Sequence, residues 1–186
     1  MIDRILESFL QQQGVLVQAF CDGSSRLHCE LIQTDESLPP NLFLIRLTCQ
    51  HTLFEGDEII VSDEPCTFAI HMPEDYLRRP NPNPGRILSL IEPRMCAHPN
   101  MQWPFICAGS IAPGTDAVDL ILRVHDLLTY NQFTPREDDA LNQQACRWAR
   151  EHMKDFPLET RPLRDLQLSA ITHEPENTDF TLEAAK

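Results

Sequence analysis

The sequence predicts an α+β domain, and three features of the chain carry this prediction. Apolar residues recur at helical spacing near the N-terminus, short alternating runs follow as far as residue 91, and two more helical patterns lie between residues 115 and 154. With 186 residues and 42% hydrophobic side chains, the chain is long enough for one buried core without disulfide staples. We therefore expect helices that pack on one face and at the ends of an antiparallel sheet.

The N-terminal helix is predicted to end at Gly14. Ile5 and Phe9 share a face at helical spacing, and glycine is common just after the last turn of a helix. On this interpretation residues 15–20 form the first strand, and Gln11 to Gln13 are exposed.

The middle of the chain is predicted to be an antiparallel meander. Turn residues separate short β-like runs, and the clearest hairpin signal is Asp22-Gly23. The runs cover residues 15–20, 27–31, 42–49, 58–61, 66–71 and 86–91. Prolines crowd the chain between Pro73 and Pro99, and because proline donates no backbone hydrogen bond, we expect an ordered loop around one strand there.

Two helices are predicted after this loop. Thr115 is placed to cap a helix over residues 116–129, whose apolar side chains share one face. Thr134-Pro135-Arg136-Glu137 combines capping-box spacing with proline at the first helical position, which predicts a last helix from there to about Lys154. We assign residues 1–156 to one domain and residues 157–186 to a partly disordered C-terminal extension, with a loose tail from about residue 172.

The charge of the chain argues against nucleic acid as a partner. With 15 basic and 28 acidic residues the formal net charge is −13, which repels phosphate backbones and anionic lipid surfaces. No apolar run approaches the ~18 residues of a membrane helix, and the N-terminus lacks the basic and apolar blocks of a secretory signal. We expect a cytoplasmic protein that does not bind membranes.

Cysteine usage indicates reduced thiols. The seven cysteines are an odd number without tandem spacing, and most lie in apolar runs where small buried thiols are expected. Cys107 differs because it ends a long non-repetitive stretch that begins at Ala97.

This stretch resembles the active-site signature of ubiquitin-conjugating enzymes. His98-Pro99-Asn100 is followed seven residues later by Cys107, with Ile106 just before the cysteine. The spacing and the order of these residues are specific enough to suggest the family.

Three further segments are similar to the family and occur in the family's order. The segment from Phe68 to Tyr76, with Pro80 beyond it, looks like the strand and tyrosine-proline segment ahead of the site. Leu127-Leu128 resembles the end of the first helix after the cysteine, and Asp138-Asp139-Ala140-Leu141 resembles the entry to the next helix. The resemblance covers roughly residues 60–150.

The resemblance implies a ubiquitin-conjugating-enzyme-like fold and a transferase that carries an acyl group as a thioester on Cys107. A ubiquitin-activating-like enzyme loads such a thiol with the C-terminus of a ubiquitin-like protein, which is then passed to an amine of a target protein. The chain looks like the divergent bacterial branch of antiviral-defence operons, where a ubiquitin-like protein or a cGAS-like nucleotidyltransferase is conjugated. No cofactor is implied.

The chain departs from the family pattern near the site. Trp103-Pro104-Phe105 stands where the family has a glycine and a small loop, and the tryptophan that commonly follows the cysteine is missing. The link from Cys107 to Pro113 is a few residues shorter, and Tyr76 lacks the proline that usually follows it.

Cys107 and Asn100 are the first two candidate catalytic residues. A free thiol with a pKa of about 8.5 is a few per cent thiolate at pH 7, which suffices for thioester exchange without a histidine base. One amide donor to an oxyanion contributes about 3 kcal/mol, and Asn100 is the candidate, by itself or by bracing the loop that supplies backbone donors. The alternative for Cys107 is a buried structural thiol.

An acidic residue is expected to position the attacking amine and to favour its neutral form. The resemblance places Asp139 in this role, with Asp138 close behind. Two interpretations stay open, because both aspartates also suit the positive start of the predicted last helix.

The supporting residues are His98, Pro99 and Tyr76. His98 is expected to be a hydrogen-bonded loop residue, and Pro99 is expected to fix the shape of the loop. Tyr76 either contacts the active-site loop from beneath or is a half-buried core tyrosine. Cys96 and His98 with Cys107 supply only three ligands at no standard zinc spacing, so we predict no metal site.

Two other functions stay open at the level of sequence. The first is an inactive module of the same fold that only binds a ubiquitin-like partner, although such variants usually lack the cysteine. The second is a cysteine peptidase, which needs a histidine base beside the nucleophile. Its candidate bases are His71, His98, His125 and His152.

Overall fold

The computed structural model describes residues 3–80 and 84–163 of the chain. These residues form an N-terminal helix, a six-stranded antiparallel sheet, a two-stranded hairpin and two further helices. The helices are α1 (Arg4–Asp22), α2 (Ala117–Leu128) and α3 (Gln143–Glu151), with 3₁₀ turns at Pro84–Arg86 and Met153–Asp155. The strands are β1 (Leu27–Ile32), β2 (Leu42–Thr48), β3 (His51–Glu55), β4 (Glu58–Ser62), β5 (Pro65–His71), β6 (Leu88–Glu92), β7 (Met101–Gln102) and β8 (Phe105–Ile106). The predicted α+β class is confirmed. Within these residues we find no helix with the length and apolar character that crossing a bilayer requires.

The main sheet has the strand order β1-β2-β5-β6-β8-β7, and its neighbouring strands are antiparallel. Strands β3 and β4 form a separate hairpin between β2 and β5. The predicted run at residues 58–61 belongs to this hairpin and not to the meander, and its partner β3 was not predicted. The β3 strand also contacts the segment before the candidate site, because Leu53 bridges to Cys96.

One face of the sheet forms the core. Phe43, Ile45 and Leu47 of β2 are fully buried, whereas Arg46 between them is exposed. This alternation is the two-residue period of a strand with one covered face. Helix α1 contacts β1, and α2 packs against α1.

The predicted end of the first helix at Gly14 is wrong, and so is the predicted strand over residues 15–20. Helix α1 continues through both to Asp22, and Asp22-Gly23 ends the helix instead of forming a hairpin. A Cβ atom on Gly14 would lie 3.2 Å from Leu31 Cδ2, so glycine at this position allows the helix to approach β1 closely. The free energy gained by packing α1 closely against β1 therefore exceeds the ~1 kcal/mol by which glycine destabilises the interior of a helix.

Gln13 is buried, contrary to the prediction that it is exposed. Its Nε2 donates to Asp116 Oδ1 at 2.6 Å, and its Oε1 accepts from Ala117 N at 2.8 Å. The side chain of Gln13 thus satisfies the first free N–H of α2, which is the task of an N-cap. Thr115, the predicted cap, instead donates its hydroxyl to Ala112 O at 2.8 Å.

The segment 157–163 packs against the body of the protein. Leu158 N donates to Thr129 O at 2.9 Å, and Leu163 is buried with its carbonyl oxygen accepting from Ser24 Oγ at 2.5 Å. The segment therefore crosses the end of the sheet from α2 towards the C-terminus of α1. The predicted domain boundary at residue 156 stays a prediction, and the predicted loose tail lies outside the described residues.

A buried ion pair anchors this segment. Arg26 Nη1 lies 2.7 Å from Glu159 Oε1, and both side chains are at most 10% exposed. Glu159 also accepts from Gln50 N at 3.1 Å and from Arg161 Nε at 2.5 Å. Replacing one partner of such a pair leaves a buried charge with incomplete compensation.

We expect Glu159→Gln to lower the free energy of unfolding by about 2 kcal/mol, since the hydrogen bonds of the carboxylate to charged and backbone donors are weakened. Urea denaturation measures this loss. Glu30→Gln on the exposed side of β1 is the control and is expected to change stability by less than ~0.5 kcal/mol. Equal stabilities of the two variants would contradict a structural role for the 157–163 segment.

Candidate active site

Cys107 lies opposite Asn100 at the base of the hairpin formed by β7 and β8. Met101 pairs with Ile106 and Gln102 with Phe105, and Cys107 N donates to Asn100 O at 2.8 Å, which extends the same register by one residue. Directly opposed residues of an antiparallel pair have Cβ atoms about 4.5–5.5 Å apart. The seven-residue spacing seen in the sequence is thus the register of a hairpin.

Cys107 is partly exposed, unlike the other cysteines. All seven cysteines lie in the described residues as free thiols, and six are buried while Cys107 is partly exposed. Burial raises the pKa of the Cys49 and Cys96 thiols to about 12, which keeps them protonated and unreactive. Cys107 is therefore the cysteine best placed to meet a partner.

The side-chain amide of Asn100 is fixed by three hydrogen bonds. Its Nδ2 donates to Thr134 Oγ1 at 2.7 Å and to Cys107 O at 3.3 Å, and its Oδ1 accepts from Thr134 N at 2.8 Å. An asparagine amide has two N–H donors, so both are engaged in this state. This geometry favours the bracing role of Asn100 that the sequence analysis left open beside direct oxyanion contact.

His98 and Pro99 belong to the turn that precedes Asn100, and both are buried. His98 Nδ1 accepts from Asn100 N at 3.0 Å. The His98 ring packs on Tyr130 with 4.5 Å between centroids, and Tyr130 itself stacks on Phe156 at 4.3 Å. The turn that contains His98 therefore packs on the aromatic rings of Tyr130 and Phe156.

Burial lowers the pKa of His98 to about 3, although an interaction with the Gln132 main chain opposes the shift. His98 is therefore neutral at physiological pH, and its ring is held as a hydrogen-bond acceptor. Burial also lowers the pKa of His51 and His125.

Stability is expected to fall as the pH drops below 6.5. The unfolded chain binds a proton at His98 near pH 6.5, whereas the folded chain does not. The contribution of His98 therefore lowers the free energy of unfolding by about 1.4 kcal/mol between pH 7.5 and pH 5.5. His51 and His125 change stability in the same direction. Urea denaturation at the two pH values checks the sign, and equal or greater stability at pH 5.5 would show that these rings take up protons in the folded state.

Tyr76 is fully buried and not half-buried as one interpretation of the sequence had it. Its hydroxyl donates to Thr115 O at 2.6 Å, and its ring lies 5.9 Å from that of Phe9. Tyr76 thus connects α1 to Thr115, just before the start of α2. The segment that begins at Cys107 ends at this point.

Asp138 and Asp139 lie on an exposed loop, residues 135–141, whose two ends are tied to the candidate site. Thr134 contacts Asn100 as described, and Asn142 N donates to Pro99 O at 3.2 Å. The loop is therefore fixed relative to the turn that faces Cys107.

The predicted start of the last helix at Thr134 is wrong, because α3 begins at Gln143 with Asn142 as its cap. Thr134 uses its hydroxyl and N–H to hold Asn100 instead of closing a capping box. The interpretation that Asp138 and Asp139 stabilise the first turn of this helix is therefore also wrong.

The two aspartates differ in how strongly they are engaged. Asp138 accepts two hydrogen bonds from Arg136, at 3.1 and 2.5 Å, and this contact lowers the pKa of Asp138. Asp139 has a single longer contact of 3.4 Å to Arg136 Nε. Of the two carboxylates, Asp139 is thus the freer to accept a hydrogen bond from a ligand.

The contacts of the site give little support to a metal or a histidine base. Within residues 3–80 and 84–163 there is no group of three His, Cys, Asp or Glu side chains suited to a metal ion. None of the histidines in this part of the chain hydrogen-bonds to the Cys107 sulfur; His98 faces Asn100 N, and His152 Nδ1 contacts Trp148 O at 2.8 Å.

Thr134 is the site residue that the sequence analysis missed. Its spacing to Glu137 indicated a helix cap, whereas the structure shows that the Thr134 hydroxyl accepts a hydrogen bond from the side-chain amide of Asn100. Tyr130 beneath His98 was also missed, although its positive φ of 57° marks an unusual turn after α2. No local pattern in the sequence identifies either contact.

Thr134→Val is expected to lower the free energy of unfolding by about 1 kcal/mol, because Asn100 Nδ2 loses one hydrogen-bond acceptor. Urea denaturation measures this loss. Thr134→Ser keeps the hydroxyl and is expected to be as stable as the unaltered chain. Equal stabilities of the two variants would show that the Thr134 hydroxyl has no part in holding Asn100.

Comparison of the chain with protein-family models and with curated proteins found no match. The function is therefore inferred from the sequence of this chain and from the geometry around Cys107.

Proposed function

We propose that the chain is a ubiquitin-conjugating-like enzyme of the divergent bacterial branch, acting in antiphage defence. It accepts the C-terminus of a ubiquitin-like protein, or of a conjugated nucleotidyltransferase, from an activating enzyme and passes it to a target amine. The proposal includes the fold: α1, the antiparallel sheet and the two later helices occur in the order that this family uses.

The observation that carries the proposal is the partly exposed Cys107 opposite a braced asparagine. A structural thiol needs neither exposure nor a neighbouring amide, and the six other cysteines have the burial expected of such thiols. The contacts of Asn100 tie the Cys107 carbonyl to the loop that carries Asp139. Nucleophile, amide and carboxylate-bearing loop are thus parts of one hydrogen-bonded unit.

Loading of the enzyme is a thioester exchange. The Cys107 thiolate attacks the carbonyl carbon of the acyl group held on a cysteine of the activating enzyme. A carbon–sulfur bond forms to Cys107, the bond to the activating enzyme breaks, and that enzyme's thiolate leaves. ATP is consumed earlier, when the activating enzyme forms its own thioester.

Transfer is an aminolysis. The target ammonium first loses a proton to water, and the neutral amine then attacks the same carbonyl carbon. The carbon–nitrogen bond forms, the nitrogen passes a second proton to water, the carbon–sulfur bond breaks, and Cys107 leaves as a thiolate. Asp139 accepts a hydrogen bond from the incoming ammonium and orients it, while Asn100 keeps the surrounding backbone donors in place for the oxyanion. His98 takes no part in proton transfer because burial keeps it neutral.

The test incubates the full chain with the activating enzyme and modifier from the same operon and with ATP. We expect a mass increase equal to the modifier minus water, and cleavage of the adduct by thiol reductants. A stable complex with the modifier but no covalent adduct would favour the binding module over the enzyme. Hydrolysis of a modifier C-terminal ester, lost when one histidine is replaced, would instead indicate a peptidase.

A further inference from the structure

An open apolar groove runs between α1 and the edge of the sheet. It has a volume of about 670 Å³, and its walls include Leu10, Val15, Leu31 and Pro39. Asp22 is the charged residue among those that line it. Val15 is 70% exposed although it is apolar, so part of the wall has no cover in the described residues.

The described part of the chain ends near this groove, because Leu163 contacts Ser24, two residues beyond the groove residue Asp22. From Thr129 the backbone passes Gln50 and Arg26, and it reaches Ser24 at the C-terminal end of α1 with Leu163. Because β1 is the edge strand next to β2, this path runs outward across the sheet end.

The sequence that follows has the composition to fill an apolar groove. Residues 165–171 read Asp-Leu-Gln-Leu-Ser-Ala-Ile, with Leu166, Leu168 and Ile171 as the large apolar side chains. The groove extends along α1 from Asp22 to Gln11, which is about 16 Å at 1.5 Å per residue. Five or six extended residues span ~17–20 Å, so the segment is long enough without any rearrangement of the anchor.

We propose that residues 165–171 bind in the groove between α1 and β1 and cover its apolar wall. The occupant is this chain's own C-terminal segment, because the buried anchor at Leu163 holds it at high local concentration beside the groove. Burial of two leucines and an isoleucine against Val15, Leu31 and Pro39 supplies the driving force.

Photo-crosslinking of the full chain tests this proposal. The photoreactive residue p-benzoylphenylalanine replaces Val15 in the groove, or Ile5 as the matched control. Ile5 lies on the same helix and is 75% exposed, but it is not part of the groove wall. We expect the probe at position 15 to link within the same chain to the peptide that contains residues 165–171, with a yield about tenfold above that of the probe at position 5.

A second pair of variants separates docking from mere proximity. Leu168→Asp is expected to reduce the crosslink from position 15 about tenfold, while Leu182→Asp leaves it unchanged. Equal yields from positions 5 and 15, or no effect of Leu168→Asp, would overturn the proposal. Crosslinked dimers whose yield rises with protein concentration would overturn it in favour of a second copy in the groove.

Discussion

Cys107→Ala is expected to abolish the reductant-sensitive adduct completely. The reaction needs a nucleophile that can carry an acyl group, and in the described residues the remaining cysteines are buried. Burial raises the pKa of several of them, Cys96 to about 12, so they do not substitute as thiolates. Non-reducing electrophoresis and intact mass after incubation with the activating enzyme measure the adduct.

Two control variants make this result specific. Cys107→Ser is expected to form an ester that resists thiol reductants and is cleaved by alkali, because oxygen replaces sulfur at the same place. Cys29→Ala removes a buried thiol of β1 and is expected to load normally. Full loading of Cys107→Ala would refute both the nucleophile and the proposed function.

Asn100→Ala is expected to slow aminolysis about a hundredfold while leaving loading largely intact. The variant loses the bonds that tie the Cys107 carbonyl to Thr134, so the backbone donors around the oxyanion are no longer held in place. Removing one preorganised oxyanion donor typically costs 10²–10³ in rate, and displacing a backbone donor that Asn100 holds in place is expected to cost about as much as the lower of these values. Single-turnover discharge of the purified thioester to free lysine measures the effect.

The matched control for Asn100 is Asn41→Ala. Asn41 is also buried, and its Oδ1 accepts from Thr34 N at 3.1 Å and from Thr34 Oγ1 at 2.9 Å, remote in sequence from Cys107. Both variants are expected to lose about 1–3 kcal/mol of stability, but only Asn100→Ala is expected to slow discharge. If Asn100→Ala and Asn41→Ala discharged the thioester at similar rates, Asn100 would have a structural role only.

The parts of the fold that were predicted correctly are those where one local pattern dominates. Strand β1 alternates between buried Leu27 and exposed His28, and α2 carries its apolar residues on one face. In both elements the pattern matches the burial, because each element has one covered face.

The failures arise where tertiary contacts override local signals. Gly14 indicates a helix end, and Gln13 interrupts the apolar face, yet the first fits against Leu31 and the second caps α2. Thr134 with Glu137 has capping-box spacing, but Asn100 occupies its hydroxyl and N–H. The partners in these contacts lie far away in the sequence, so spacing within one segment does not identify them.

The candidate site was predictable in part. The interval between Asn100 and Cys107 identified the two residues that the structure places opposite each other. The supporting contacts, Thr134 on the amide and Tyr130 beneath His98, come from segments about thirty residues away, and no local pattern indicates them.

The hairpin register restricts how this chain can change during evolution or engineering. Side chains alternate between the two faces of a strand, so inserting or deleting one residue between Met101 and Ile106 would turn the sulfur away from the asparagine unless a bulge absorbed the change. The register fixes the even number of positions that separate the pair, while Trp103 at the hairpin tip has a contact of its own, with its Nε1 donating to Ile91 O at 3.2 Å. Libraries that diversify Trp103-Pro104 should therefore hold loop length constant, or change it by two.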